Sequence, residues 1–183
     1  MLKLLVTSPG DTGEWTRLIP EKAVLPTDPV KENNVHKVKN CVFSIAFSTP
    51  FQSRVRLVAV SKEVLEYILD LDLSVSETDD FIQLVSGRKI VFGSTPLAHR
   101  YGDHQFGIWA DQFGDGRVHL IGIYMNRDYM QDEKWELQLK GSGKTPYSRN
   151  GNGRVVLRSS VREFLCSEAL HYLRTPTSRA ASC

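Results

Sequence analysis

Cysteine, excess charge and long apolar runs are all scarce in this 183-residue chain, and each scarcity excludes something. Three cysteines only, Cys41, Cys166 and Cys183, stand far apart and odd in number. That excludes a disulfide framework and suits a reducing compartment. They offer no C-x-x-C pair and no metal-ligand spacing. No apolar run approaches the ~20 residues that a spanning helix needs. Met1-Leu-Lys-Leu-Leu-Val-Thr7 is too brief for a secretory core, and Asp11, Glu14 and Glu21 spoil an arginine-rich transit peptide. The chain is therefore expected to be soluble, with no membrane partner. Charge is nearly balanced, 23 basic against 21 acidic residues. No global field argues for nucleic acid, so any phosphate recognition must come from local basic groups. Internal repeats and low-complexity tracts are missing as well. The length suits one domain, alone or with an extension.

What is present begins irregularly. Residues 1–40 hold four prolines, Pro9, Pro20, Pro26 and Pro29, and the polar run Lys31-Glu-Asn-Asn-Val-His-Lys37. They read as an irregular arm laid over the domain surface. From Cys41 to Phe47, and again from Val55 to Val60, β-branched and apolar residues predict short strands. Ser61 to Leu69 predicts a helix with Val64, Leu65, Ile68 and Leu69 on one face, and Thr78 to Val85 predicts a second, entered through Thr78.

Three local patterns carry possible chemistry. Phe106 to Phe113 and Arg117 to Tyr124 flank Gly114-Asp115-Gly116, which predicts a β-hairpin whose Asp-Gly pair supplies positive φ. The glycines either close this hairpin or admit a ligand to bare backbone, with Arg117 supplying charge. Trp135 to Lys140 alternates, placing Leu137 and Leu139 on one face and Gln138 and Lys140 on the other. Ser160-Val-Arg-Glu163 predicts the start of a helix through a capping box, with Val161, Phe164, Leu165, Ala169, Tyr172 and Leu173 as one apolar stripe. Glu163 falls on a second stripe with Cys166 and Leu170. It either completes the cap in partial contact with water or pairs with a cation such as Lys140, since an unpaired buried charge costs several kcal/mol. Lys140 for its part is either a solvated strand residue or that partner. Gly141-Ser-Gly-Lys144-Thr145 imitates the end of a P-loop, but Gln138 stands where the first glycine is required and Pro146 where the helix should begin. Lys144 therefore reads as a loop lysine.

Taken with His104-Gln-Phe-Gly107, Phe113-Gly-Asp-Gly-Arg117, Leu139-Lys-Gly141, Asn150-Gly-Asn-Gly-Arg154 and Arg162-Glu-Phe-Leu165, the wording from about Asn40 to Ala181 resembles the selenoprotein O family of kinase-like protein adenylyltransferases. The resemblance implies an α+β fold like a kinase N-lobe over 41–183, with a small antiparallel sheet and one principal helix. It implies an ATP site at Gly114, Gly116, Arg117, Lys140, Asn152 and Gly153, with Glu163 orienting Lys140. Asn152 replaces the family's aspartate, Asp103 a glycine before His-Gln-Phe-Gly, and Arg174-Thr175 a Gly-Ile. The implied activity is transfer of AMP from ATP, with Mg2+, to Ser, Thr or Tyr of protein substrates. The family's catalytic aspartate and metal ligands lie downstream of Cys183, so no catalytic or metal-binding residue is expected here and the chain is expected to be inactive as a fragment. A kinase-like phosphotransferase and a noncatalytic module binding nucleotide or a partner remain as alternatives. Family likeness implies a mitochondrial location, and the cytoplasm is the alternative.

Overall fold

Alternation of apolar and polar residues makes a strand wherever only one face is covered, and the run ending at Lys140 becomes the axis of the sheet. The computed structural model describes residues 3–7, 26–30, 34–90, 94–126, 133–149 and 151–183. Its strands are β1 (Lys3–Thr7), β2 (Thr27–Asp28), β3 (Phe43–Ile45), β4 (Leu97–Gln105), β5 (Ile108–Gly114), β6 (Val118–Asn126), β7 (Glu133–Lys140) and β8 (Arg179–Ser182). They form one sheet in the order β2-β3-β4-β6-β7-β1-β8, and β5 pairs with the outer half of β4. Two helices, α1 (Asp79–Val85) and α2 (Leu157–Tyr172), join a π-helical turn at Val64–Ile68 and a 3-10 turn at Leu73–Glu77. The domain is α+β. Among the described residues no helix is long and apolar enough to cross a membrane.

The two faces of the sheet are covered by different elements. Leu137 and Leu139 join Ile121, Tyr124 and Ala181 in a core closed by Val64, Leu65, Ile68 and Leu69 and by Phe81 and Val85. The helical face read from the sequence is thus the buried one, although Leu69 N–H donates to Val64 O at 3.1 Å, one residue wider than an α-helix. Thr78 caps α1 as expected, its hydroxyl accepting from Phe81 N–H at 3.3 Å. Phe164 of α2 packs instead against Ala180 and Cys183. Beside it Glu168 gathers Arg179 Nε at 2.9 Å, Arg179 Nη2 at 2.8 Å, the Ala180 amide at 3.1 Å and the Ser61 hydroxyl at 2.9 Å. That cluster staples α2 to β8.

Several expectations are corrected. The first forty residues are not uniformly irregular: β1 sits inside the sheet between β7 and β8, and β2 pairs parallel to β3, which makes the sheet mixed rather than antiparallel. Residues 34–40 do lie along the surface, Gln112 bridging to Val38 N–H and His36 O at 2.8 Å each. The arm's residues 8–25 and 31–33 lie outside the described residues. Val55 to Val60 is no strand. Only Val60 bridges to Ser182, because Val58 and Ala59 both donate to the single carbonyl of Cys183.

The hairpin is also elsewhere. β5 pairs with β4, not β6, and the two-residue turn with positive φ is Phe106 (53°) and Gly107 (79°). Gly114, Asp115 and Gly116 have no positive φ. Finally, α2 begins at Leu157 behind Val156, with no side-chain cap. Ser160 lies buried within the first turn, so the capping box does not form, and the expected apolar stripe is largely solvent-facing at Leu165, Tyr172 and Leu173.

Candidate functional site

Lys140 closes a strand that is hydrogen-bonded on both sides, opposite Lys3 of β1 and Val118 of β6. Such a strand has one choice of face for each side chain. With Leu139 buried in the core, Lys140 must point to the other side, toward α2. There Lys140 Nζ lies 2.8 Å from Glu163 Oε2, with about a quarter to a third of each side chain exposed. The two residues singled out from the sequence are therefore brought together as an ion pair. The capping box that would have engaged Glu163 does not form, because α2 starts four residues earlier than the box required.

Lys140 of this pair lines a cavity of about 640 Å3, together with Gly114, Gly116, Arg117, Asn152 and Gly153 among others. All six residues expected at one site thus line one cavity. Arg117 is exposed at its edge, and its carbonyl accepts from Gly141 N–H at 2.7 Å, next to Lys140.

The turn at Gly114–Arg117 is held rigidly by a loop 30 residues away in sequence. Thr145 Oγ1 donates to Asp115 O at 2.7 Å, and the Ser148 hydroxyl donates to Gly116 O. The Asp115 carboxylate accepts from His99 N–H at 2.8 Å, while Asp115 N–H donates to His99 O at 2.9 Å. Any Cβ at Gly114 would overlap the Tyr147 ring, and one at Gly116 would stand 2.9 Å from Tyr147 O. These glycines are needed for close approach of the protein's own loop. Tyr147 is fixed in turn by Ser44, hydroxyl to hydroxyl at 2.7 Å.

The second glycine cluster forms the facing wall. Gly153 has φ 72°, and a Cβ there would overlap Gly143 O. Gly143 N–H donates to Gly153 O at 3.3 Å, and Ser142 bridges to Arg154. Asn152 Oδ1 accepts from Arg154 N–H at 2.9 Å, so its amide oxygen serves the loop. Asn150 lies outside the described residues. Arg154 is pinned, donating to Thr49 O and Pro50 O with its guanidinium 3.9 Å over Phe51, and burial lowers its pKa. Lys144 is an exposed loop residue with a turn, not a helix, after it.

Sequence reasoning missed the far end of the cavity. Tyr101 and Phe113 stack there, and the Arg149 guanidinium lies 5.8 Å over Phe113. Only the β4–β5 pairing brings the two rings together, and the mistaken hairpin hid it. Beneath the site His119 is wholly buried, Nδ1 2.5 Å from Ser142 Oγ, and burial pulls its pKa down to about 4. Among the described residues no group of three or more His, Cys, Asp or Glu is placed to hold a metal ion.

A cleft with an ion-paired lysine between two glycine-bearing segments is the kind of site that the nucleotidyltransferase resemblance implies, and comparison with known proteins settles the class. A family model described as "Protein adenylyltransferase SelO" matches residues 31–183, and the chain belongs to that family. Similar proteins include the "Protein nucleotidyltransferase YdiU" of Methylobacillus flagellatus, 47% identical over 158 residues, which are 86% of this chain and 30% of that protein. The protein of the same description from Nitrosospira multiformis is 47% identical over 158 residues, 86% of this chain and 27% of its own length. That of Dechloromonas aromatica is 50% identical over 124 residues, 68% and 24% respectively. The chain thus spans less than a third of the length of these relatives.

Proposed function

We propose that this chain is the nucleotide-binding part of a protein adenylyltransferase that moves AMP from ATP to Ser, Thr or Tyr hydroxyls of protein substrates. The observation that carries the reading is the 2.8 Å Lys140–Glu163 pair at the edge of a cavity that also holds the Gly114–Arg117 turn. A strand lysine ordered by a helix glutamate is the device by which kinase-like folds place positive charge on a triphosphate. On this reading residues 41–183, with β1 added to the sheet, correspond to a kinase N-lobe. Glu163 orients Lys140, Lys140 and Arg117 neutralise phosphate oxygens, and the 114–117 and 151–154 segments form the walls.

In the transfer itself a substrate hydroxyl oxygen bonds to the α-phosphorus, the bond from that phosphorus to the β-bridging oxygen breaks, and pyrophosphate leaves. The hydroxyl proton goes to a base. Mg2+ bound to the phosphates would neutralise their charge, but the described residues offer it no carboxylate cluster. Preorganised charge lowers the barrier only when the nucleophile is positioned as well. The chain by itself is accordingly expected to bind ATP without turnover.

Incubation of the chain with Mg2+, a protein substrate and ATP labelled at either the α- or γ-phosphate tests this. ATP binding without label transfer is the expected result, and supplying the remaining part of a YdiU relative should restore α-label transfer. Transfer of γ-label would favour a phosphotransferase. Absence of ATP binding would overturn the reading, and strong α-labelling by the chain alone would overturn its incompleteness.

A further inference from the structure

The cavity is chemically divided. One end holds Lys140 and Arg117, whereas the other, under the β4–β5 hairpin, holds two aromatic rings and a guanidinium. Tyr101 and Phe113 are direct partners across the β4–β5 pairing, which puts their rings on the same face. Their centroids are 6.5 Å apart and their planes 22° from parallel. Arg149 lies over Phe113 at 5.8 Å. With the Gln105 amide oriented to satisfy its partners, Gln105 Oε1 accepts from both Arg149 terminal nitrogens at 3.1 and 2.7 Å. The guanidinium plane is thereby tethered from the hairpin. Tyr101 is 45% exposed.

We infer that Tyr101, Phe113 and Arg149 form a platform on which the heterocyclic base of the nucleotide stacks, leaving the phosphates to the Lys140–Arg117 end. This rests on the nucleotide-binding reading above. Planar π-systems and arginine planes are the surfaces on which bases stack, because every base has a π-face to offer. Burial, and then the carboxylates of Asp115 and Asp103, raise the Tyr101 pKa. The Arg149 cation lowers it, so this end is of mixed charge and its rings, rather than repulsion of phosphate, are what would place the base.

Calorimetric titration of the 183-residue chain with ATP and with inorganic tripolyphosphate, at equal Mg2+, separates the two ends. Phe113→Leu and Arg149→Lys each remove a stacking plane while preserving bulk or charge. Each is expected to weaken ATP binding about tenfold, the scale of one base–aromatic stack, and to change tripolyphosphate binding by less than about twofold. Equal loss for both ligands would make Arg149 a phosphate ligand and overturn the inference. So would ATP affinity unchanged in both variants. A chain that binds tripolyphosphate and ATP equally overturns the platform alone; one that binds neither overturns the nucleotide reading with it. Should either variant fail to fold, the unmodified chain still decides. Ethenoadenosine triphosphate is expected to lose fluorescence on binding as its base stacks, and binding without that loss would overturn the platform.

Discussion

At the scale of single residues, the exposure of Lys140 and Glu163 separates a binding role from a structural one. A pair left about a quarter to a third exposed contributes little to stability, typically under ~1 kcal/mol. Lys140→Ala is expected to lower ATP affinity at least about tenfold while the melting temperature moves by less than about 4 °C. Glu163→Gln should lower affinity by a smaller factor, since the lysine keeps its own charge. Calorimetry beside thermal unfolding checks both. His119 gives the opposite case, a group that matters for folding. Its folded-state pKa of about 4 lies below the ordinary 6.5, so on acidification the unfolded chain takes up a proton that the folded chain refuses. Stability is therefore expected to fall as pH drops from about 6.5 toward 4, by at most about 3 kcal/mol. His119→Asn should flatten that slope in denaturant titrations run across the range. The pair was legible in the sequence because alternation fixes the face of Lys140. The reason for Gly114 and Gly116 was not, since it lies in Tyr147, which only the folded loop brings near.

At the scale of elements, α2 shows how tertiary contacts override local signals. Ser160 and Glu163 spell a capping box, yet the helix starts at Leu157. Val155 is buried, and its side chain fills the space a Cβ on Gly141 would need, which fixes the chain's entry before Ser160 is reached. The other end keeps its terminator without glycine. Arg174 stands where glycine would be favoured and adopts φ 58°, with its N–H donating to His171 O at 2.8 Å and Thr175 N–H donating to Leu170 O at 2.9 Å. This is a Schellman ending built without its usual residue. Arg174→Gly is expected to stabilise the chain by about 1 kcal/mol by relieving the left-handed conformation. The melting temperature should rise by about 2–4 °C, measurable by calorimetry. The β4–β5 hairpin was misplaced because Asp-Gly looked like the stronger turn signal, whereas Phe106-Gly107 has the positive φ angles that a two-residue turn uses.

At the scale of the whole molecule, the sheet joins distant parts of the chain, and this part of the fold was least legible. Residues 3–7 looked like the start of a proline-rich arm, and nothing local marks them as partners of both 136–140 and 179–182. Pairing across such separations is decided by which edges remain after the rest has packed. Removing residues 1–7 is expected to leave β8 without its sheet neighbour and β7 with one open edge. Hydrogen exchange should then show lost protection in β8 and on that side of β7, with the β6 side of β7 retained.

That central strand also sets a timetable. During synthesis β1 leaves the ribosome first, but its partner strand β7 begins only at Glu133 and β8 only at Arg179. Until those strands are made, β1 lacks both of its sheet neighbours, and closure must then overcome the entropy of a long loop. Forming this part of the sheet is therefore expected to be a slow step, because residues 3–7 must insert between two strands made more than a hundred residues after them.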